Sequence, residues 1–243
     1  MTMANTDSVE AREPPLEASI ESAARAYTEK PAAYFANARH DIVALLGTGP
    51  ASAIIELGCG AGGTGRAAIA AGKARRYVGI ELHPSAASLA ASALSEVLVG
   101  NVEEMDLSGL TGQFDALIIS EVLEHLVDPW RTLERLAQCV KPDGELYASS
   151  PNIAHFDVIG KLLMGRFQYT GSGVMDWTHL RWFTPQSYRE LCEAAGFDVL
   201  GVRPLNPPGW KARLLDAATA GHFSHLFMRQ IMLVGRRRQP SSP

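Results

Sequence analysis

The chain reads as an α/β fold built on a largely parallel sheet. Three observations predict it. From Ser52 onward, short apolar runs alternate with helical stretches. Glycines and prolines mark the joints between them. The length, 243 residues with 47% apolar side chains, supports one sizeable core and a few extra segments.

The opening stretch "MTMANTDSVEAREPPLEA" is polar, acidic and proline-containing, which predicts a disordered tail over 1–18 and no secretory signal. Residues 19–47 carry helical periodicity interrupted at Pro31, so two short helices are expected as an N-terminal cap. Strands are predicted at about 53–57, 76–80, 95–99, 114–119 and 144–149. Helices fit between them, starting near Thr64, Pro84 and Pro129, because proline suits a first helical turn. "KPDGE" is a turn feeding the strand "ELYASS". The rhythm then breaks over 152–183, too long for an ordinary connection and therefore read as an inserted lid. "TPQSYRELCEAAGF" restores a helix, with Thr184 as N-cap, Pro185 at N1 and Gly196 as the stop. Two strands follow near 197–203 and 228–235, separated by a loop and an amphipathic helix. Residues 238–243 form a polar tail.

Charge and cysteine usage narrow the classes. A net charge of −4 argues against a general nucleic-acid binder, and the basic "GRRRQ" run reads as a solvated terminus. Cys59, Cys139 and Cys192 have neither metal nor disulfide spacing, which predicts a reducing cytoplasm. No apolar run reaches the roughly 18 residues of a membrane span.

"IIELGCGAGGTG", Ile54 to Gly65, carries the first chemical signal. Gly58, Gly60 and Gly63 satisfy G-x-G-x-x-G between a strand and a helix, where glycines let backbone approach a ligand. Glu81 ends the next strand 23 residues after Gly58, an offset suited to a ribose diol. Glu56 separates the candidate cofactors. A carboxylate beside a pyrophosphate is repulsive, whereas an ammonium or sulfonium welcomes it.

"ELGCGAGGTG", "GIELH" and "FDALIISEVLEHLVDP" together resemble the successive motifs of class I S-adenosylmethionine (SAM) dependent methyltransferases. The likeness covers roughly residues 35–203 and the last strand. It implies a Rossmann-like three-layer α/β/α sandwich over 19–237, a seven-stranded sheet with an antiparallel last strand, and a SAM cofactor leaving as S-adenosylhomocysteine. By that resemblance Glu56, Gly58, Cys59, Gly60 and Gly62 would line the methionine part, with Ser120 and Glu121 beside them. Glu81 and Leu82 would meet the ribose, and Asn101 and Val102 the adenine; many members carry Asp where Asn101 stands.

Methyl transfer to a hydroxyl needs alignment, exclusion of water and a base near neutral pKa, for which histidine is suited. Position selects His125, His155 and His179 among seven histidines, with His179 and Asp176 together in "DWTHLRWFT". That segment, with "SPNIAHF", resembles bacterial small-molecule methyltransferases of sugar and surface-polysaccharide pathways, and "EVLEH" those of ubiquinone pathways. A structural reading competes, in which Asp176, His179 and Arg181 only hold the lid together. Glu121, Glu124 and His125 resemble the metal-binding stretch of small-RNA 2′-O-methyltransferases, with His179 as the later histidine, which implies Mg²⁺. Glu121 and Glu124 or His125 would then share a helical face.

The aromatics Phe156, Phe167, Tyr169, Trp177, Trp182 and Phe183 either stack on an acceptor or bury the lid. The reading is an O-methyltransferase acting on a small molecule (a sugar, glycolipid precursor or aromatic metabolite), with no nucleic-acid partner and a homodimer allowed. Its rivals are an NAD(P)-dependent oxidoreductase, an RNA 2′-O-methyltransferase with a metal site, and a non-catalytic SAM-binding protein.

Overall fold

Apolar runs with little alternation predict strands buried on both faces, and the sheet is built that way. The computed structural model describes residues 38–50 and 52–239. Its strands are β1 (Ala53–Leu57), β2 (Arg76–Glu81), β3 (Glu96–Val99), β4 (Phe114–Ser120), β5 (Val140–Pro151), β6 (Phe197–Pro204) and β7 (Gln230–Arg237). They form one sheet in the order β3-β2-β1-β4-β5-β7-β6. β7 pairs antiparallel with both β5 and β6, while β3, β2, β1, β4 and β5 pair parallel. The seven-stranded sheet with an antiparallel last strand is therefore as the resemblance implied.

Side chains alternating along the strands feed two cores. Ile54, Tyr77, Ala116, Ile118 and Tyr147 face one side, where Ile42 and Val43 of α1 (His40–Leu45), Ala68 of α2 (Gly63–Ala70) and Ala90 of α3 (Pro84–Ala90) cover them. Ile55, Leu117, Ile119 and Leu146 face the other, under α4 (Pro129–Cys139) and α6 (Pro185–Ala194). The helix signals in the sequence are used literally. The Asp128 side chain accepts from the Arg131 N–H in front of Pro129. Thr184 and Ser187 form a capping box around Pro185.

Three local readings change. β5 begins at Val140, before the "KPDGE" turn, and the register jumps from Phe114↔Val140 to Ala116↔Glu145 with Asp143 at φ 63°. The turn is a bulge within a strand, since its ends stay paired to β4. The lid insert is partly helical: α5 (Phe156–Leu163) was masked in the sequence by Gly160 and the following glycines. β7 lies two residues later than expected, and α7 (Trp210–Ala218) supplies the helix foreseen before it. The predicted tail 1–18, the cap helix before residue 38, and residues 240–243 lie outside the described residues. Among the described residues, no helix is long and apolar enough to cross a membrane. Cys59, Cys139 and Cys192 are buried free thiols.

Candidate active site

The strand order reverses between β1 and β4, and the predicted site residues collect at the carboxyl ends of these strands and their neighbours, where open α/β sheets place their crevice. After β1, Gly58, Gly60 and Gly62 all take left-handed conformations, at φ 73°, 54° and 77°. A Cβ on Gly58 would lie 2.5 Å from Val122 Cγ2, so the loop packs directly against the turn after β4.

Glu81 is 2% exposed and held at both oxygens. Oε2 accepts from the Gly60 N–H at 2.8 Å and Oε1 from the His83 N–H at 3.0 Å. Each carboxylate oxygen keeps lone-pair capacity for a further donor. Glu56 is buried too, and its Oε2 accepts from the Tyr77 hydroxyl at 2.8 Å. Burial pushes its carboxyl up to about 7, against hydrogen bonds from Tyr77 and Thr64 that pull it down. Beyond β3, Asn101 closes its own turn: Oδ1 accepts from the Glu103 N–H, and Nδ2 donates to Glu104. Arg135 clamps the same loop through the Val102 and Glu103 carbonyls, leaving Val102 buried and Leu82 about half exposed.

Sequence reasoning missed Arg39. Asp41 grips its Nε and one terminal nitrogen at 2.9 and 2.8 Å, and the other terminal nitrogen donates to the Ser120 and Ser149 hydroxyls. The guanidinium thus lies across the ends of β4 and β5, near Glu56 and Glu121. A lone Arg ahead of a short helix carries no motif, so nothing in the sequence marked it. Glu121 adopts φ 56° and accepts from Ser149 and Gln230.

The second group sits three residues further on. A 3₁₀ turn, Leu123–His125, follows Glu121, so the helical face expected for Glu121 and Glu124 is not formed. Its place is taken by a cluster of Glu124, His125 and His179, one ligand atom of each lying within 4.8 Å of the others; Glu121 is not in it. The lid is stitched to this turn, because the Leu180 and Arg181 N–H groups both donate to the Glu124 carbonyl and Arg181 reaches the Val127 carbonyl. That stitching brings His179 to His125, with ring centroids 4.8 Å apart. His125 Nδ1 donates to the Thr178 carbonyl at 3.0 Å and His179 Nδ1 to the Val174 carbonyl at 2.9 Å. Since carbonyls only accept, both rings carry their proton on Nδ1 when neutral, which leaves Nε2 basic.

Glu124 is 1% exposed. Its Oε2 accepts from Ser150 at 3.1 Å, and its Oε1 is buried without a hydrogen-bond partner. Burial, then the neighbouring Glu121 charge, push this carboxyl well above the usual range. Asp176 braces the lid by accepting from the Thr178 N–H and hydroxyl. His155 lies apart, as N-cap of α5: its Nδ1 accepts from the Asp157 N–H, and burial holds its pKa below the ordinary value. Of the lid aromatics, Tyr169 stacks on Trp177 at 5.2 Å and contacts Phe167 and Trp182, while Phe183 is buried against Tyr188.

The acceptor set fits the cofactor that the resemblance implies. A pre-held carboxylate at Glu81 suits a ribose diol, glycine backbone leaves room for a methionine chain, and Val102 with Leu82 offers apolar flanks to a base.

Comparison with known proteins bears on the same residues. A family model described as a methyltransferase domain matches residues 27–202. The ubiquinone biosynthesis O-methyltransferase of Alkalilimnicola ehrlichii is 27% identical over 187 residues, 71% of this chain and 72% of that protein. That of Cereibacter sphaeroides is 27% identical over 122 residues, 48% of each chain. In several such matches the aligned part spans half or less of the relative's length. A structure of the complex between the Haloferax volcanii Trm112 methyltransferase activator and a methyltransferase superposes with a TM-score of 0.59 at 18% identity, covering 92% of this chain and 97% of that one. An S-adenosylmethionine-dependent methyltransferase from Mesorhizobium loti superposes at 0.58 and 17% identity, covering 82% and 96%. These likenesses establish a shared fold.

Proposed function

The chain belongs to the class I SAM-dependent methyltransferases, and from that membership we propose that it methylates a hydroxyl of a small molecule. The observation that carries the hydroxyl reading is the Glu124–His125–His179 cluster, joined to the glycine loop through Val122. When bound, SAM supplies an electrophilic methyl group on a sulfonium. The chain's own residues do the rest.

Glu81 would hold the ribose, Asn101 and Val102 the adenine, and the Gly58–Gly62 backbone the methionine chain. Ser120 and Glu121 would border that chain. Glu56 would provide the negative field for its ammonium, and Arg39 would face its carboxylate. His179, with its Nδ1 proton pinned to Val174, would take the acceptor's proton at Nε2, and His125 would orient or share that proton. Asp176 would keep the lid closed so that water stays out. The ubiquinone O-methyltransferase relatives support an oxygen acceptor.

A second reading rests on the partnerless Glu124 Oε1. A divalent cation held by Glu124, His125 and His179 would lower the acceptor's pKa and take over part of the base's work. Two imidazoles and one carboxylate suit Mn²⁺, Fe²⁺ or Zn²⁺ better than the Mg²⁺ implied by the sequence motif.

Transfer of a radiolabelled methyl group to a panel of hydroxylated and amine acceptors tests the first reading. Labelled methyl ethers are expected, and His179→Ala should cut turnover by about 10²–10⁴ without changing cofactor affinity. Labelled amines alone would overturn the oxygen assignment. Full activity after EDTA treatment would remove the metal.

A further inference from the structure

The loop after β3 would meet the purine of the cofactor. An adenine edge offers such a loop an amino donor at position 6 and an acceptor at N1. Reading both takes one acceptor and one donor from the protein. The acceptors are already engaged within the chain. The Asn101 carbonyl takes the Glu104 and Met105 N–H groups at 3.1 and 3.0 Å. Arg135 donates to the Val102, Glu103 and Met105 carbonyls. Both Glu103 carboxylate oxygens accept backbone N–H groups, from Val127 at 3.2 Å and Asp128 at 2.7 Å. The Asn101 side chain is decided by its own turn. The Glu103 N–H needs an acceptor, so the amide oxygen stands there at 3.0 Å and the other corner of the amide is nitrogen. That nitrogen is a donor only, and it is engaged with Glu104 at 3.1 Å. A donor is left over. Val102 is buried, and its N–H meets no acceptor among the described residues.

We propose that this chain recognises its cofactor's purine at N1 alone, through the Val102 N–H, and leaves position 6 unread because Asn101 presents a donor there. This follows from the cofactor reading proposed above and narrows what Asn101 does in it. An aspartate at this position would keep the turn with one oxygen and offer the other to the amino group. Asn101 makes the same turn and has no second oxygen to offer. The selectivity that remains is against purines protonated at N1. A 6-oxo purine carries an N1–H, which sets donor against donor at Val102. A purine with only hydrogen at position 6 keeps the N1 acceptor and loses nothing that this loop uses.

Calorimetry on the full chain tests it with S-adenosylhomocysteine, its 6-deamino analogue (purine in place of adenine) and its 6-oxo analogue (hypoxanthine in place of adenine). The first two are expected to bind within about threefold of each other, and the third at least about tenfold more weakly. Asn101→Asp preserves the turn and should tighten S-adenosylhomocysteine by about threefold or more, but not the 6-deamino analogue. Circular dichroism checks that the variant folds. A 6-deamino analogue that the parent binds more than about threefold worse overturns the proposal, because position 6 is then read. So does a 6-oxo analogue that binds like S-adenosylhomocysteine, which would take Val102 away from N1. An Asn101→Asp variant that treats the first two ligands alike would take residue 101 away from position 6 and overturn its part. Binding of none of the three would overturn the cofactor reading and this proposal with it, whereas a wrong purine pattern alone leaves methyl transfer standing.

Discussion

Replacing Gly58 with alanine probes the joint between the cofactor loop and the acceptor cluster. Gly58 sits at φ 73°, where an L-residue costs about 1–2 kcal/mol. Its Cβ would also fall 2.5 Å from Val122 Cγ2, an overlap that must be relieved by moving side chain or backbone at about 1–3 kcal/mol. The sum, about 2–5 kcal/mol, is a large share of the stability of a typical domain. Val122→Ala removes the methyl that the new Cβ meets and none of the backbone strain. In that background, Gly58→Ala should therefore cost only about 1–2 kcal/mol. Urea unfolding of the parent, the two single variants and the double variant closes the cycle. An equal penalty for Gly58→Ala in both backgrounds would refute the contact, and a penalty below about 1 kcal/mol would refute the strain as well.

Two further outcomes follow from the carboxylates. Glu81→Gln places an amide where two N–H donors already point, so S-adenosylhomocysteine affinity measured by calorimetry should fall by about 10- to 100-fold; unchanged affinity would dismiss the ribose assignment. Glu56 has its pKa raised from 4.5 to about 7, mainly by burial. An unfolded chain releases this proton near the lower value and the folded chain near the higher one, so stability drains away as pH rises through that window and the loss is complete above it. Glu56→Gln should abolish that slope, gaining on the parent by roughly 1.4 kcal/mol per pH unit across the window in thermal melts, while weakening cofactor binding. A pH-independent difference between the two would sink the assignment.

The parts of the fold legible in sequence are those fixed by local pattern. Ile54–Leu57 and Phe114–Ser120 read as strands because nearly every side chain is apolar, and Pro129 and Pro185 mark helix starts through their own ring geometry. Glu81 was legible because its spacing from the glycines reflects one βα unit. The helix α5 was not, since three glycines after it look like loop, and it is held by the buried Val158 and by its His155 cap rather than by an apolar stripe. Arg39 was invisible for another reason: its partners Ser120 and Ser149 lie 81 and 110 residues away. The meeting of His125 and His179 could be suspected from the motif resemblance. The agent that creates it, the Glu124 carbonyl accepting two lid amides, is a backbone contact that no side-chain pattern encodes. The same holds for Glu121, whose left-handed backbone removes it from the group the spacing had placed it in.

The position of β7 has a consequence for how the molecule is made. Gln230–Arg237 is synthesised after the six other strands of this sheet, yet it lies in the sheet's interior, with β5 on one side and β6 on the other. Until it emerges from the ribosome, β5 and β6 each offer a row of unpaired amides and carbonyls, and β6 has no neighbour at all. A nascent chain can therefore assemble the five parallel strands early but must wait for Gln230–Arg237 to join β6 to the rest of the sheet. Stop codons or ribosome stalling before Gln230 would leave sticky edges rather than a shortened enzyme, a hazard that falls to chaperones to contain.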